Sequence, residues 1–406
     1  MSTPSYQQAL GRKIAAERRR RGLSQPELAR LLGRSVAWVS QVERGVRKVD
    51  RMSVLETVAA ALDVPLAELA AEAPVVAAVT EESPGAGGLR LVLSGAYALR
   101  AMLDGRRPPA LSKLRSRSRT AWELAHAGQY TELSELLREL VPDLETAARA
   151  LPEAQRAEVF ELMAATYQAC SAALAKLAEP EAAWIAADRA MAAAERAGNP
   201  LLVAAGAFRL VFVFVAARHY DQAEETARTA AEALQSRADD GDPQAMSLWG
   251  GLTLQRAIIA SRVNDPDAAY SYLERAAQVA ARVGEGRNDY NTEFGPANVT
   301  LYEIAVAVEL GDAGRALRAA AAVDTTGLSA ERCARMLIDV ARAQAQRRQI
   351  GEAVAALREA EQITPEQVRG HELARQLVSD LLTMQDPPSA ELRELAGRLG
   401  AAKLPT

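Results

Sequence analysis

The chain has 406 residues, a net charge of −4, 49% hydrophobic residues and only 4% aromatic ones. That is enough for two or more domains with substantial cores, and long Ala-rich stretches poor in β-branched residues favour an all-α chain. Two distant cysteines, Cys170 and Cys333, exclude a disulfide framework, and no apolar run approaches the roughly 18 residues of a membrane span. The N-terminal MSTPSYQQALGRK has no apolar signal core, so a cytoplasmic location without a membrane partner is expected. Charge is unevenly spread: residues 1–51 carry twelve Lys and Arg against four Asp and Glu, a net of +8, leaving −12 for the rest. A basic head on an acidic body suggests that only the head meets nucleic acid, which adds a nucleoid association.

In chain order, five short helices are predicted in residues 1–72. Tyr6 to Arg20 carries Leu10 and Ile14 on one face and ends at Gly22. Ser24 N-caps a helix over Gln25 to Leu32 with Pro26 in its first turn, and Gly33 permits a tight turn. Ser35 caps the next helix, which runs to Arg44 and stops at Gly45. Met52 to Leu62 and Pro65 to Leu69 complete the set, with Leu28, Leu31, Val39, Val42, Val54, Leu55, Val58, Leu62 and Leu66 as the expected core.

The run RRRRGLSQPELARLLGRSVAWVSQVERG, followed by VLETVAAALDVPLAEL, resembles the lambda-repressor-like, or XRE, helix-turn-helix family over about 60 residues. The resemblance implies a phosphate contact at Gln25 and a reading helix that opens with Arg34 and Ser35. Its base-facing candidates are Val36, Ala37, Ser40 and Gln41. Only Ser40 and Gln41 can hydrogen-bond, whereas Val and Ala can meet a thymine methyl. Trp38 either wedges against sugar and phosphate or packs on the first helix. The resemblance makes Arg18 and Glu43 a structural ion pair, and Arg44, Arg47 and Lys48 phosphate contacts. Family members bind palindromic operators as homodimers, so reading by this small polar face would lean partly on DNA shape.

Ala71 to Gly88 mixes Pro, Gly, Ser and acids without periodicity, which predicts a flexible linker over 73–88 and a second domain over 89–406. There, helical periods alternate with turn signals. A turn residue followed by small or apolar positions at +3, +7 and +10 recurs from Tyr130, Pro180, Tyr220, Pro266, Ala313 and Ile350, at spacings of 50, 40, 46, 47 and 37 residues. This is similar to the tetratricopeptide (TPR) repeat, although longer than the usual ~34 residues. The expected body is an α-solenoid of about six TPR-like hairpins with a terminal cap over Glu366 to Gly400.

An XRE head on a TPR-like body resembles bacterial quorum-sensing peptide-receptor regulators. The resemblance implies a concave lumen lined by the first helix of each hairpin. In this register the candidate ligand contacts are Trp122, Gln168, Phe208, Phe212, Arg262, Asn298, Arg335 and Arg342. LVFVFVAARHY also reads as buried core, especially at Phe214. Gly284 to Asp312 breaks the Ala-rich pattern and reads either as a ligand lip presenting Asn291 and Phe294 or as a long connector. His126, His219 and His371 sit in separate repeats, and no phosphate loop, HExxH or nucleophile elbow occurs, so neither catalysis, metal nor cofactor is expected. The combined expectation is a sequence-specific transcriptional regulator whose body senses a peptide or small molecule and sets dimer geometry. The alternative keeps the DNA-binding head but makes the body a protein-interaction scaffold, adaptor or antitoxin-like.

Overall fold

The computed structural model describes residues 6–62 apart from 22, 48, 50 and 51, then 64, 85–95, 99, 103, 107–385 and 387–401. Among these residues there are twenty helices, one 3-10 turn and no strand. No described helix is long and apolar enough to cross a membrane. The described residues fall into two compact units, one within residues 1–81 and one within 82–402.

The head contains α1 (Tyr6–Arg20), α2 (Gln25–Leu31), α3 (Val36–Glu43) and α4 (Met52–Leu62). The expected fifth helix over Pro65 to Leu69 lies outside the described residues. A capping box opens α2: the Ser24 side chain accepts from the Glu27 backbone N–H, and the Glu27 carboxylate accepts from the Ser24 N–H at 2.7 Å. Ser35 caps α3 through the Trp38 N–H at 3.1 Å. Leu10, Ile14, Leu28, Val39, Val42, Leu55, Val58 and Leu62 form the core. Leu31, expected there, is 58% exposed, and Leu32 at the helix end packs inward instead. Gly11 lets α1 lie directly on the end of α3, since a Cβ there would come within 2.3 Å of the Val42 carbonyl oxygen.

The body opens with α5 (Ala86–Val92), which overrides the last residues of the expected 73–88 linker; residues 73–84 lie outside the described ones. Apolar Leu89 and Val92 are fully buried, and this burial outweighs the helix cost of Gly87 and Gly88. Six hairpins follow. They pair α6 (Leu111–Ala127) with α7 (Tyr130–Ala150), α8 (Glu153–Lys176) with α9 (Pro180–Ala197), and α10 (Pro200–Ala216) with α11 (Tyr220–Asp239). The second half pairs α12 (Pro243–Arg262) with α13 (Pro266–Val283), α14 (Pro296–Glu309) with α15 (Ala313–Ala322), and α16 (Ala330–Gln346) with α17 (Ile350–Ile363). The cap is α18 (Pro365–Gly370), α19 (Glu372–Met384) and α20 (Ala390–Arg398).

All six sequence anchors are the first residues of second helices, and the +3 positions Leu133, Ala183, Ala223, Ala269, Ala316 and Ala353 are each 0% exposed. One turn geometry recurs beneath this register. Two residues before each anchor, Gly128, Ala178, Arg218, Asn264, Gly311 and Arg348 take φ between 60° and 83°. The next N–H then bonds the carbonyl five residues back, at 2.8–3.0 Å in all six turns. This is a Schellman stop, which satisfies the orphan carbonyls of each first helix. Only two of the six positions are Gly; the others bear the left-handed cost that any Cβ brings.

The first helices α6, α8, α10, α12, α14 and α16 stack as an inner layer, and the layer closes. Helix α6 touches α16, and Lys176 at the end of α8 pairs with Glu331 of α16 at 2.7 Å. The Glu366 carboxylate of the cap accepts from the N–H and hydroxyl of Thr131 at 3.0 and 3.1 Å. First and last hairpins therefore meet.

Arg348 is exposed at φ 61°. Arg348→Gly should stabilise the protein by about 0.5–1 kcal/mol by relieving left-handed strain, and this is measurable as a higher urea midpoint at unchanged m-value.

Candidate functional site

Two places carry candidate chemistry, one in each unit. In the head, α3 is held from beneath by Glu43. Arg18 Nε and Nη2 donate to its two oxygens at 2.5 and 3.0 Å, and these side chains are 12% and 6% exposed. Arg18 Nη1 also donates to the Leu23 carbonyl at 2.7 Å. The ion pair expected from the resemblance is present. The half-buried Gln25, at the start of α2, donates its amide to Glu43 Oε2 at 2.8 Å. A buried carboxylate attracts every donor in reach, and Gln25 is the third.

The outward face of α3 presents Val36 at 44% exposure, exposed Ala37, and half-buried Ser40 and Gln41. Neither the Ser40 hydroxyl nor the Gln41 amide makes a side-chain hydrogen bond among the described residues. Trp38 packs against the core, half-buried, with the Arg34 guanidinium 5.6 Å from its ring centre. Arg44 and Arg47 are exposed beyond the helix end; Lys48 lies outside the described residues. Of the four consecutive arginines, Arg21 donates to the Ala61 carbonyl at 2.7 Å, closing the end of α4.

In the body, the segment after α13 runs through the lumen and fastens the inner layer together. The 3-10 turn Asp289–Asn291 and its flanks hold Tyr290, Asn291 and Glu293 at φ 50°, 57° and 50°, strained values for residues with a Cβ. Four hairpins hold them there. The Glu293 carboxylate meets His126 Nδ1 from the first hairpin at 3.1 Å. From the sixth it accepts the Ser329 hydroxyl and N–H, each at 3.1 Å, and Arg332 Nε at 3.2 Å. Arg209 of the third donates to the Tyr290 and Asn291 carbonyls at 3.2 and 2.8 Å, its guanidinium between the rings of Trp122 and Phe208. Ser247 of the fourth donates to Asp289 at 3.0 Å, and the Phe294 ring fills the space over Gly250, where a Cβ would come within 2.0 Å.

The electrostatics follow from burial. Desolvation would raise the Glu293 carboxyl, but the His126 hydrogen bond and the Arg332 charge hold it well below the usual carboxylate range. Glu331 is likewise held down to about 2, against burial, by Lys176, Arg332 and Arg335. Burial pulls His371 down to about 4, so it is neutral at pH 7.

Beside this strut lies a cavity of about 360 Å³. Of the ten expected contacts, Phe212, Arg262, Arg335 and Arg342 line it, and the other six do not. Phe208 and Phe294 are each 1% exposed inside the core. Trp122 lies beneath Arg209, and Gln168 is turned to the Leu202 carbonyl at 3.4 Å. Asn298 donates to the Thr292 carbonyl at 3.4 Å, and Asn291 meets His126. Five of the six belong to the strut or pack against it, whereas Gln168 bonds the neighbouring inner helix; Asn291 and Phe294 are themselves part of the strut. Repeat register identifies which residues point inward; it does not reveal that chain already occupies part of the lumen. Arg209, Lys176 and Arg332, which sequence reasoning missed, also line the cavity. Their signal was only that each is a cation on an inner helix.

Residues 9–71 match the helix-turn-helix domain family. The N-terminal unit is a helix-turn-helix domain. No curated protein matches the chain. Among solved structures the chain is similar to Bacillus thuringiensis PlcR in complex with the peptide PapR7 and DNA, at 13% identity and a TM-score of 0.29, over 68% of this chain and 95% of that one. The DNA-binding character of this protein therefore rests on its head.

Glu293→Gln should destabilise the body by about 3 kcal/mol at pH 7, because buried Arg332 loses the nearer of its two carboxylates and keeps only Glu331 at 3.8 Å. A depressed carboxyl contributes its stability above its unfolded value, near 4.3, and loses it as pH falls toward the folded value. Urea unfolding should therefore show the wild-type advantage over Glu293→Gln intact at pH 7 and shrinking below about pH 4.5.

Proposed function

We propose that this protein is a sequence-specific transcriptional regulator that binds a palindromic operator as a homodimer, and whose solenoid lumen senses a small ligand and alters the geometry of the dimer. The observation that carries the DNA reading is the face of α3. Its hydrogen-bonding side chains, Ser40 and Gln41, have no side-chain hydrogen bond among the described residues, while the Arg18–Glu43 pair beneath them is engaged. Ser40 and Gln41 read base edges, with Gln41 suited to adenine N6 and N7. Val36 and Ala37 meet thymine methyls, Arg34, Arg44, Arg47 and Lys48 anchor phosphates, and Ser35 presents the capped helix end. Trp38 acts through Arg34 and the core. No enzymatic step is part of this reading.

The sensing half rests on the cavity, which is walled by inner helices from the second through the sixth hairpins and by the cap. A ligand there shifts operator affinity only if it binds one arrangement of the dimer better than the other. The scaffold alternative has one observation in its favour, an apolar groove of about 800 Å³ lined by α9, α10 and α11, including Leu201, Val203 and Leu234. A protein that co-purifies on this groove, with no small molecule altering DNA affinity, would replace the sensing reading.

Genome-wide footprinting supplies the bound DNA, and two substitutions then separate reader from anchor. Gln41→Ala should cost about 1–3 kcal/mol at one operator position and relax preference there. Arg47→Ala should weaken binding to all sequences alike and lower the salt slope by about 1. Identical behaviour of both variants on every DNA, measured by fluorescence anisotropy, would remove the assignment.

A further inference from the structure

The lumen cavity has an excess of cations whose pairing is uneven. Arg262 and Arg342 both meet Glu309, at 3.1 and 3.2 Å, and Arg342 also meets Asp339 at 3.0 Å. Arg332 is taken by Glu293 and Lys176 by Glu331. Three guanidiniums on the wall, Arg209, Arg218 and Arg335, form no ion pair among the described residues; Arg218 is exposed, and Arg335 contributes to the field that holds Glu331 down. Arg335 lies over the Tyr302 ring at 5.6 Å. Arg209 is 5% exposed and bonds only carbonyl oxygens; its buried Nε has no hydrogen-bond partner. Other buried polar atoms on the same wall also lack partners, namely Gln367 Oε1, His371 Nδ1 and one carboxylate oxygen of Glu331, whose other oxygen meets Lys176.

A guanidinium inside a protein is costly unless an anion or a set of acceptors neutralises it. Phe212, Val215, Ile258 and Ala305 add apolar wall to the same space. The volume stands at the small end of the roughly 300–1,000 Å³ typical of small-molecule sites, because the strut through Glu293 takes up part of the lumen. An extended peptide running along the lumen would have to displace that strut and break its bonds to four hairpins.

We propose that the lumen binds a small molecule carrying one oxyanion, a carboxylate or phosphate monoester, on an apolar body, with Arg335 as the principal anchor and Arg209 as a second donor. The fork of a guanidinium matches either oxyanion with two parallel N–H donors. The unpartnered amide oxygen of Gln367 and the neutral His371 ring provide for a polar group elsewhere on the ligand. This deepens the sensing reading and rests on it only for its consequence at the DNA.

The test uses the full chain and matched probes: phenylacetate against phenylacetamide, octanoate against octanamide, and phenyl phosphate. Saturable thermal shifts of about 3 °C or more are expected for oxyanions and not for their amides. Phenyl phosphate against phenylacetate separates the two oxyanions. Arg335→Gln, checked for fold by circular dichroism, should weaken binding about ten- to a hundredfold, and Arg335→Lys should restore part of it. Trp122, stacked on Arg209, gives a fluorescence readout of the same event. Amides that bind as well as acids, binding indifferent to Arg335→Gln, or no binding by any probe each overturns the oxyanion assignment. Repeating the anisotropy measurement with the probes keeps the two ideas separate. An oxyanion that binds without changing DNA affinity supports the pocket and removes the sensor; a neutral probe that binds and changes DNA affinity does the reverse.

Discussion

The buried carboxylate of Glu293 is the constraint on which the inside of the solenoid depends. It sits on a left-handed residue, in a strained run, with only 11% of its side chain exposed, and each of these costs free energy. It persists because His126, Ser329 and Arg332 converge on its two oxygens from opposite ends of the repeat array. Without that convergence the segment after α13 would have no reason to enter the lumen. Phe294 would then lose its place over Gly250, and Arg209 its carbonyl acceptors. A TPR-like array ordinarily couples each hairpin only to its neighbours. Here one carboxylate couples the first to the sixth, so the body is tied as a unit instead of a stack.

That closure bears on function in a specific way. An open solenoid flexes by small rotations spread over many interfaces, whereas a closed one has a wall that a ligand can push only against fixed partners. The strut also divides the lumen into space already filled by chain and space that remains, and the remaining space is where the unevenly paired arginines stand. In the head the same logic acts on a smaller scale. Glu43 engages Arg18 and Gln25, which ties α3 to α1 and α2 and leaves its exposed side with few polar groups.

Much of this was legible in the sequence where the signal is local. Ser24 with Glu27, Ser35, Gly33 and Gly45 mark the helix ends of the head through hydrogen bonds within a few residues. The six anchors marked the second helices because each follows a Schellman stop and sets a small or apolar residue into the core at +3. Where sequence reading failed, the cause was long range. Leu31 and Leu32 are both plausible core residues, and the end of α2 decides between them. The bond of the Gln25 amide to a carboxylate 18 residues away has no signal in the local sequence. Asn291 and Phe294 have the composition of a binding lip, but the Phe294 ring lies over Gly250 and the Asn291 carbonyl is held by Arg209.

By itself, the sequence determined the all-helical content, the helix-turn-helix head, the hairpin register and the sign of charge in each half, since periodicity, caps and composition act over one or two turns of chain. Only the tertiary structure decided that the array closes, that residues near 290 thread its lumen, and which arginines keep an uncommitted face. Those outcomes depend on which charges meet across more than a hundred residues. In a low-dielectric interior, the pairing of a charge, not its presence, sets whether it holds the fold or is left to bind something else.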